Sequence, residues 1–289
     1  MTDTIGLLHP GEMGATVGGA ARANELRVVW ASDGRGLRTR GRADAAGLTD
    51  VDNLSALVAH SHIILGVCPP HAATELARAV AGQRFSGVYV DANAVSPSTV
   101  RDVRQIVEAG GGSFVDGGII GPPALTPGTT RLYPSGAESV RVAECFRHGP
   151  LEARVLDGPP GAASALKMAY AAWTKGSAAL LIAIRTLAIH EGVDDALIRE
   201  WELSQSGLPG RSAGAVRSNA RKAWRFSGEM EEIADTFAAA GLPDGFHRAA
   251  AEIYRRMTGY KDAADTPSVE EAAAQVLPGT APDEITAAS

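Results

Sequence analysis

Two stretches hold residue types that can do chemistry. In "GAASALKMAYAAWTKG", residues 161 to 176, Lys167 stands in an otherwise apolar helical pattern. A lysine that decorates a surface sits on a polar face. One set among Ala, Leu, Met and Trp and buried between domains is drawn out of water, and burial lowers its pKa toward neutrality. Such a lysine can hand a proton to the alkoxide formed when a hydride reaches a carbonyl carbon. In "TIGLLHPGEMGATVGGAAR", residues 4 to 22, a strand pattern runs into a loop and then a helix, the order in which a dinucleotide is held. Gly11 and Gly14 take the places where backbone nears a pyrophosphate and where helix packs on strand. His9 stands where the first glycine of G-x-G-x-x-G belongs. Pro10 fixes φ and offers no N–H, while His9 at the crest can hydrogen-bond a cofactor and tune its affinity by titration. The alternative for His9 is a partly exposed side chain without chemical duty. The helix N–H groups that follow aim at the phosphates. His9, Pro10, Gly11, Glu12, Met13 and Gly14 are therefore the candidate cofactor contacts of this loop.

Composition narrows the class. The chain has 289 residues, 45% of them hydrophobic, enough for one large or two ordinary cores, and a net charge of −6. Its Lys and Arg residues are scattered, so no nucleic-acid partner is expected. The two cysteines, Cys68 and Cys145, form no C-x-x-C pair, which fits a reducing compartment; both read as buried small apolar side chains and not as nucleophiles, and no metal site is expected. A strand pattern begins within a few residues of Met1, without the charged and apolar regions of a signal peptide. The most apolar run, "AALLIAI", stops at Arg185, far short of the ~20 residues that span a bilayer. No membrane partner and a cytoplasmic location are expected.

Both stretches need elements to position them. Short apolar runs bounded by Gly, Pro or Asp occur at 4–8, 27–31, 62–67, 87–91, 113–117, 129–133 and 152–156. They read as strands buried on both faces of a parallel sheet, with helical segments between them. The expectation is an α/β fold: a doubly wound Rossmann domain over residues 1–160, then an all-α domain over 161–289 for substrate and dimerisation. The second begins with a helix of about thirty residues, about 45 Å long at 1.5 Å per residue. That helix is apolar over much of its circumference, so it is expected inside a bundle or at the interface of a homodimer. Shorter helices are expected at 194–205, 211–224, 228–240 and 245–258, and the tail from about 264 is expected to be partly loose.

Five motifs in order resemble the β-hydroxyacid dehydrogenase superfamily, which holds 3-hydroxyisobutyrate and 6-phosphogluconate dehydrogenases and the imine reductases. "HPGEMG" resembles G-L-G-x-M-G, "VCPP" at 67 to 70 the V-P-x after a strand, and "VDANAVSP" at 90 to 97 the D-x-S-T-x-x-P segment. "FVDGGIIGPP" at 114 to 123 is similar to D-A-P-V-S-G-G, and "GAASALK" to the G-x-G-x-x-x-K that opens the long interdomain helix. The chain looks closest to a branch with a phosphogluconate dehydrogenase-like C-terminal domain of uncertain function. The resemblance implies that Lys167 is the general acid/base, that Cys68, Pro69 and Asn93 lie at the cofactor, and that Asn93, Ile119, Ile120 and Gly121 lie at the substrate. Where the family places an asparagine four residues after its lysine, this chain has Ala171; Tyr170 can supply an O–H instead, with Thr174 as a second candidate. Trp173 and Lys175 read as packing and surface residues. Arg225 and His247, beside Trp224, Phe226 and Phe246, are the C-terminal candidates for lining a substrate pocket.

The end of the second strand bears on the cofactor. An acid there holds the ribose of NAD, whereas a small polar residue with a nearby arginine accepts the 2′-phosphate of NADP. The position falls on Ser32, with Arg35, Arg38 and Arg40 close behind, which favours NADP(H) over NAD(H); Asp33, one residue later, is the feature against it. At the family's carboxylate anchor this chain has Ile120 followed by Gly121 and Pro122, and Asn93 replaces a serine. Isoleucine donates nothing and proline lacks an N–H. The expected reaction is hydride transfer between NADPH and a small carbonyl or hydroxy compound less anionic than a simple hydroxy acid, unless Arg131 or Arg225 takes the carboxylate. Two alternatives are an imine reductase of the same fold and a non-catalytic NADP-binding sensor.

Overall fold

Apolar runs of four residues are long enough to cross a sheet and too short for a helix, and here they pair into one eight-stranded sheet. The structure is a computed structural model and describes residues 3–277. The chain divides into two compact units, Met1–Ala169 and Tyr170–Ser289.

In the first unit the order is β1 (Thr4–Leu7), α1 (Glu12–Arg22), β2 (Arg27–Trp30), α2 (Leu37–Ala45), β3 (Thr49–Asp50), α3 (Leu54–His60) and β4 (Ile63–Gly66). There follow α4 (Ala73–Gly82), β5 (Val88–Asp91), α5 (Pro97–Ala109), β6 (Ser113–Ile120), β7 (Thr130–Ser135), α6 (Ser139–Glu144) and β8 (Leu151–Ala153). The sheet runs β3-β2-β1-β4-β5-β6-β7-β8. Its first six strands are parallel, in the doubly wound order whose direction of winding reverses between β1 and β4. Alternate residues enter opposite faces: Ile63 and Leu65 of β4 join Ile5, Val28 and Val115 on one side, while Ile64 joins Val29, Tyr89 and Phe114 on the other. Each such buried Leu or Ile contributes about 1.5 to 3 kcal/mol from apolar area removed from water.

Three features depart from the sequence reading. The two-residue strand β3 carries no apolar pattern and was not foreseen. Strand β6 continues to Ile120, three residues beyond its expected end. Strand β7 runs antiparallel to β6, placing Ile120 opposite Arg131, because an apolar run does not encode its direction.

The long helix α7 (Ala162–His190) crosses from the first unit into the second. It stops at Gly192, whose φ of +68° suits glycine, with Val193 N–H turning back to the Ala188 carbonyl at 2.8 Å. The second unit adds α8 (Asp194–Ser204), α9 (Leu208–Asn219), α10 (Ala223–Ala239), α11 (Gly245–Arg256) and α12 (Val269–Val276). Within the segment expected to be loose, α12 is an ordered helix with a capping box in which Ser268 and Glu271 satisfy each other's backbone N–H groups. Residues 278–289 lie outside the described part.

Against the expectation that no run is long enough, α7 has the length and hydropathy of a membrane span. Its charges are met by protein. Lys175 pairs with Glu229 of α10, and Arg185 donates to both oxygens of Asp194 and to Ser212 Oγ.

Candidate active site

The β1–α1 loop is shaped by its own backbone. A Cβ on Gly14 would lie 2.2 Å from the His9 carbonyl oxygen, so only glycine fits beneath the crest. A Cβ on Gly18 would lie 3.0 Å from Leu48 Cδ2 and 3.3 Å from Leu7 Cδ2 of β1, so the missing side chain lets α1 lie close on the sheet. At Gly11 the nearest atoms are those of the His9 ring at 3.8 Å, so the start of α1 is open on that side. No side chain caps this helix, and its first N–H groups are available to an anion. Thr16 donates to the Met13 carbonyl and accepts from Ala124 N–H, both at 2.9 Å, tying α1 to the segment after β6. His9 Nδ1 is buried and meets no hydrogen-bond partner among the described residues. Burial, reinforced by the nearby Arg35 and Arg42 guanidiniums, holds the imidazole below its usual pKa and therefore neutral.

At the end of β2, Ser32 is buried, and its N–H donates to Asp50 Oδ1 at 3.2 Å. Asp52 N–H donates to the same oxygen at 2.9 Å, and Arg40 lies 3.9 Å from Oδ2. Burial raises the Asp50 carboxyl, but these hydrogen bonds and the Arg40 charge outweigh it and keep the group below its ordinary range. The acid beside Ser32 is thus engaged by protein donors. Asp33 is exposed and contributes its N–H to the Asp52 carbonyl. Arg35 donates to the Leu8 carbonyl and Arg42 to the Pro10 carbonyl, each at 3.3 Å, while Arg40 donates to Ser32 O at 3.0 Å. Arg38 is exposed. The sequence reading missed Arg42, whose signal was its place one turn after Arg38 on α2.

Beyond β4, the N–H of Cys68 donates to Asn93 Oδ1 at 2.5 Å, and Asn93 N–H donates to Asp91 Oδ1 at 2.9 Å. With its oxygen used, the Asn93 amide is oriented, and its buried Nδ2 has no partner among the described residues. Burial and the charge of Asp91 push the Cys68 thiol up to about 12, and burial brings Cys145 to about 11, so neither is a nucleophile. Pro69 opens a short helical turn at Pro70–Ala72.

Beyond β6, Lys167 Nζ donates to the Ile119 carbonyl at 2.5 Å. The side chains of Ile119 and Ile120 are buried, so Ile119 meets the lysine through its backbone. Gly121 has φ +131° and room for no Cβ, which would lie 2.4 Å from the Thr129 carbonyl. Arg131, opposite Ile120, donates to the Gly128 carbonyl at 3.2 Å.

In the second unit Tyr170 is 47% exposed, one turn along α7 from Lys167, and Thr174 is exposed with its hydroxyl on the Tyr170 carbonyl at 3.3 Å. Trp173 is exposed. Lys175 is no surface residue: it is nearly buried, paired with Glu229, and 4.9 Å from the centroid of the Phe226 ring. Arg225 Cζ lies 5.2 Å from the centroid of the same ring, with a buried Nε lacking a partner among the described residues. His247 is buried against Phe237, ring centroids 4.2 Å apart, and faces Gly176; burial lowers its pKa. Phe246 is exposed, and Trp224 instead carries Lys261 at 4.2 Å. No cluster of metal-ligating side chains occurs among the described residues.

Residues 188–257 match a family described as a domain of unknown function, DUF1932. The chain is 29% identical over 200 residues to an uncharacterized 28.5 kDa protein from the 7S RNA 5′ region of Methanothermus fervidus, covering 68% of this chain and 76% of that protein. A solved conserved protein of unknown function, described as structurally similar to 3-hydroxyacid dehydrogenases, is 26% identical with a TM-score of 0.64, over 88% of this chain and 99% of that one. Mycobacterium tuberculosis 3-hydroxyisobutyrate dehydrogenase, solved with L-serine, shares 18% identity and a TM-score of 0.66 over 96% and 98% of the two chains. The reductive aminase of Aspergillus terreus, solved with NADPH and ethyl-5-oxohexanoate, shares 16% identity and a TM-score of 0.55 over 89% and 93%. The last two likenesses are of fold.

Proposed function

We propose, for a chain whose fold and C-terminal match fit the β-hydroxyacid dehydrogenase superfamily, that it is a nicotinamide-dependent oxidoreductase acting on a small carbonyl or hydroxy compound. The observation that carries the reading is Lys167 with its ammonium on the Ile119 carbonyl at 2.5 Å, in a chain whose β1–α1 loop leaves an uncapped helix start beside Gly11. The residues fit a dinucleotide: Gly11 leaves space, the first N–H groups of α1 would take the pyrophosphate, and the buried His9 Nδ1 and Asn93 Nδ2 await partners. Structural neighbours solved with NADP(H) support a nicotinamide cofactor. The engaged Asp50 and the arginines around Ser32 favour NADP(H) over NAD(H).

The bound nicotinamide supplies or takes the hydride. Lys167, held by the Ile119 carbonyl, gives its proton to the substrate oxygen as the alkoxide forms, and takes it back in the oxidative direction. Tyr170 follows it on α7 as an O–H donor. The oriented Asn93 amide offers N–H to an acceptor, which suits a carbonyl or hydroxyl. With Ile120 and Pro122 where the family has anion donors, the preferred substrate is a less anionic compound.

The test is NADPH oxidation with aldehydes, ketones, imines, 3-hydroxyisobutyrate, tartronate semialdehyde and 6-phosphogluconate. Turnover of uncharged carbonyls, with Lys167→Met slower by roughly 10² to 10⁴ and NADPH affinity kept, is the expected result. Efficient turnover of the acids overturns the substrate class. Turnover of imines alone favours the imine reductase reading, for which the shared fold of the reductive aminase is the support. Tight NADPH binding with no turnover favours a sensor. The proposed setting is cytoplasmic, without nucleic-acid or membrane partners.

The proposed assembly is a homodimer through α7. Trp173, Leu180 and Leu187 are 66%, 48% and 61% exposed at seven-residue steps, a spacing at which two helices pack. Sedimentation at twice the chain mass, reduced to the chain mass by Leu180→Glu with Leu187→Glu, is expected; a wild-type monomer at micromolar concentration overturns it.

A further inference from the structure

Asp116, the acid that opens the D-A-P-V-S-G-G-like segment, is fully buried. Its oxygens take four hydrogen bonds. Gly161 N–H and Ser164 N–H donate to Oδ2 at 2.8 and 2.9 Å, Ser164 Oγ to Oδ1 at 2.6 Å, and Ser135 Oγ to Oδ2 at 3.4 Å. Ser135 Oγ in turn accepts from Ala163 N–H at 3.3 Å. A helix begins with N–H groups that have no acceptor inside the helix and with the positive end of its dipole. At α7 a carboxylate from β6 and a hydroxyl from β7 fill that need, three N–H groups in all. Burial raises the Asp116 carboxyl and these donors pull it back.

The same strand meets the same helix a second time. Three residues beyond Asp116, the Ile119 carbonyl takes Lys167 Nζ, and Lys167 lies one turn beyond Ser164. Between the two contacts, a Cβ on Gly118 would lie 2.8 Å from the Ala163 carbonyl oxygen and 3.6 Å from Lys167 Cβ, so the helix rests directly on bare backbone. Helix and strand are therefore registered at two points a turn apart, one a buried carboxylate and the other the lysine itself. A slip of one residue along α7 is a 1.5 Å displacement, more than the hydrogen bond at Ile119 tolerates.

We propose that Asp116 is a positioning residue for Lys167: by fixing the first turn of α7 on β6 it sets where the ammonium is held, without touching substrate or cofactor. The proposal rests on the reading of Lys167 as the general acid/base, and its tests separate the two. Asp116→Asn keeps size and one acceptor oxygen but turns a donor toward the helix N–H groups. Ser164→Ala keeps the carboxylate and removes its 2.6 Å partner. In the NADPH assay both are expected to lower kcat at least about tenfold with the NADPH Kd unchanged, since misplacement of a catalytic group by about 1 Å can cost about 10²-fold. The alkaline limb of the kcat–pH profile is expected to move in both. Independently of turnover, lysines carrying ¹³C-methyl groups are followed by NMR, with the Lys167 resonance identified by its loss in Lys167→Met. Its titration midpoint is expected to differ between wild type and Ser164→Ala. Folded variants with wild-type kcat and an unmoved Lys167 titration overturn the proposal. Should Asp116→Asn not fold, Ser164→Ala and Ser135→Ala decide it. Should the wild type turn over nothing, the enzymatic reading falls and the NMR titration still tests the positioning.

Discussion

Arg42 Nε donates to the Pro10 carbonyl at 3.3 Å, and Arg35 Nη2 to the Leu8 carbonyl at the same distance, so two guanidiniums from the α2 side grip the loop on either side of His9. Arg35 also follows Ser32, where a 2′-phosphate is expected. Arg35→Ala is expected to weaken NADPH binding by about tenfold or more, the worth of a charge-assisted hydrogen bond, and NADH binding much less. Arg42→Ala, which loosens only the loop that serves the shared pyrophosphate, should weaken both cofactors alike. Fluorescence titration of each variant with the two cofactors checks this, and equal losses for Arg35→Ala would remove the phosphate role.

Gly11 and Gly14 answer to different demands. Alanine at Gly11 meets nothing nearer than 3.8 Å, so the variant should fold with an unchanged Tm yet lose at least about tenfold in NADPH affinity, because its methyl fills the space at the start of α1. Alanine at Gly14 drives a methyl to 2.2 Å from the His9 carbonyl oxygen and should lower Tm as well. Calorimetry and cofactor titration on the same preparations distinguish the two effects. A Gly11→Ala variant that binds NADPH like wild type would place the pyrophosphate elsewhere.

Lys175 and Glu229 have side chains only 13% and 10% exposed. Removing one member of such a pair leaves a charge in the interior, so Glu229→Ala is expected to destabilise by about 3 to 5 kcal/mol. The double variant Lys175→Met with Glu229→Leu should recover most of that. Urea unfolding of the three proteins measures it; a double variant no more stable than Glu229→Ala would mean that packing, not charge, is at stake.

His9 and His247 both sit below the ordinary histidine pKa, chiefly through burial. As pH falls through about 6.5 the unfolded chain takes up protons that these folded imidazoles refuse, so stability rises with pH across that window and is lost below it. The Tm should be flat from pH 8 to 7 and fall toward pH 5. His9→Gln with His247→Gln should flatten that fall. Asp3 and Asp50, whose carboxyls lie below the usual range, act in a separate window: their contribution is present above about 3.8 and disappears in stronger acid. A double variant with an unchanged slope between pH 7 and 5 would assign the loss to other groups.

Much of this was legible along the chain and some was not, for physical reasons. Strands such as β4 and β5 announce themselves because burial on both faces leaves a continuous apolar run. Lys167 announces itself because its neighbours are apolar. The parts played by Arg42 and Asp116 do not, since a charged residue reads the same in sequence whether it faces water or its partners, even where, as at Asp116, a motif marks the position. The Asp116 partners lie 19, 45 and 48 residues away, and the Lys175 partner 54. Direction was equally hidden. The run "TRLYP" predicts a strand, but its reversal against β6 is set by the turn between them and not by its residues.

The two thiols, Cys68 near 12 and Cys145 near 11, leave well under one sulfur in a thousand ionised at neutral pH. Both thiols are therefore expected to react slowly with alkylating reagents at neutral pH, which a timed thiol-reagent assay on the folded chain would read. A single cysteine introduced at an exposed position such as Leu203 on α8 would become a selective attachment point for a spin label or fluorophore, with the native pair left in place.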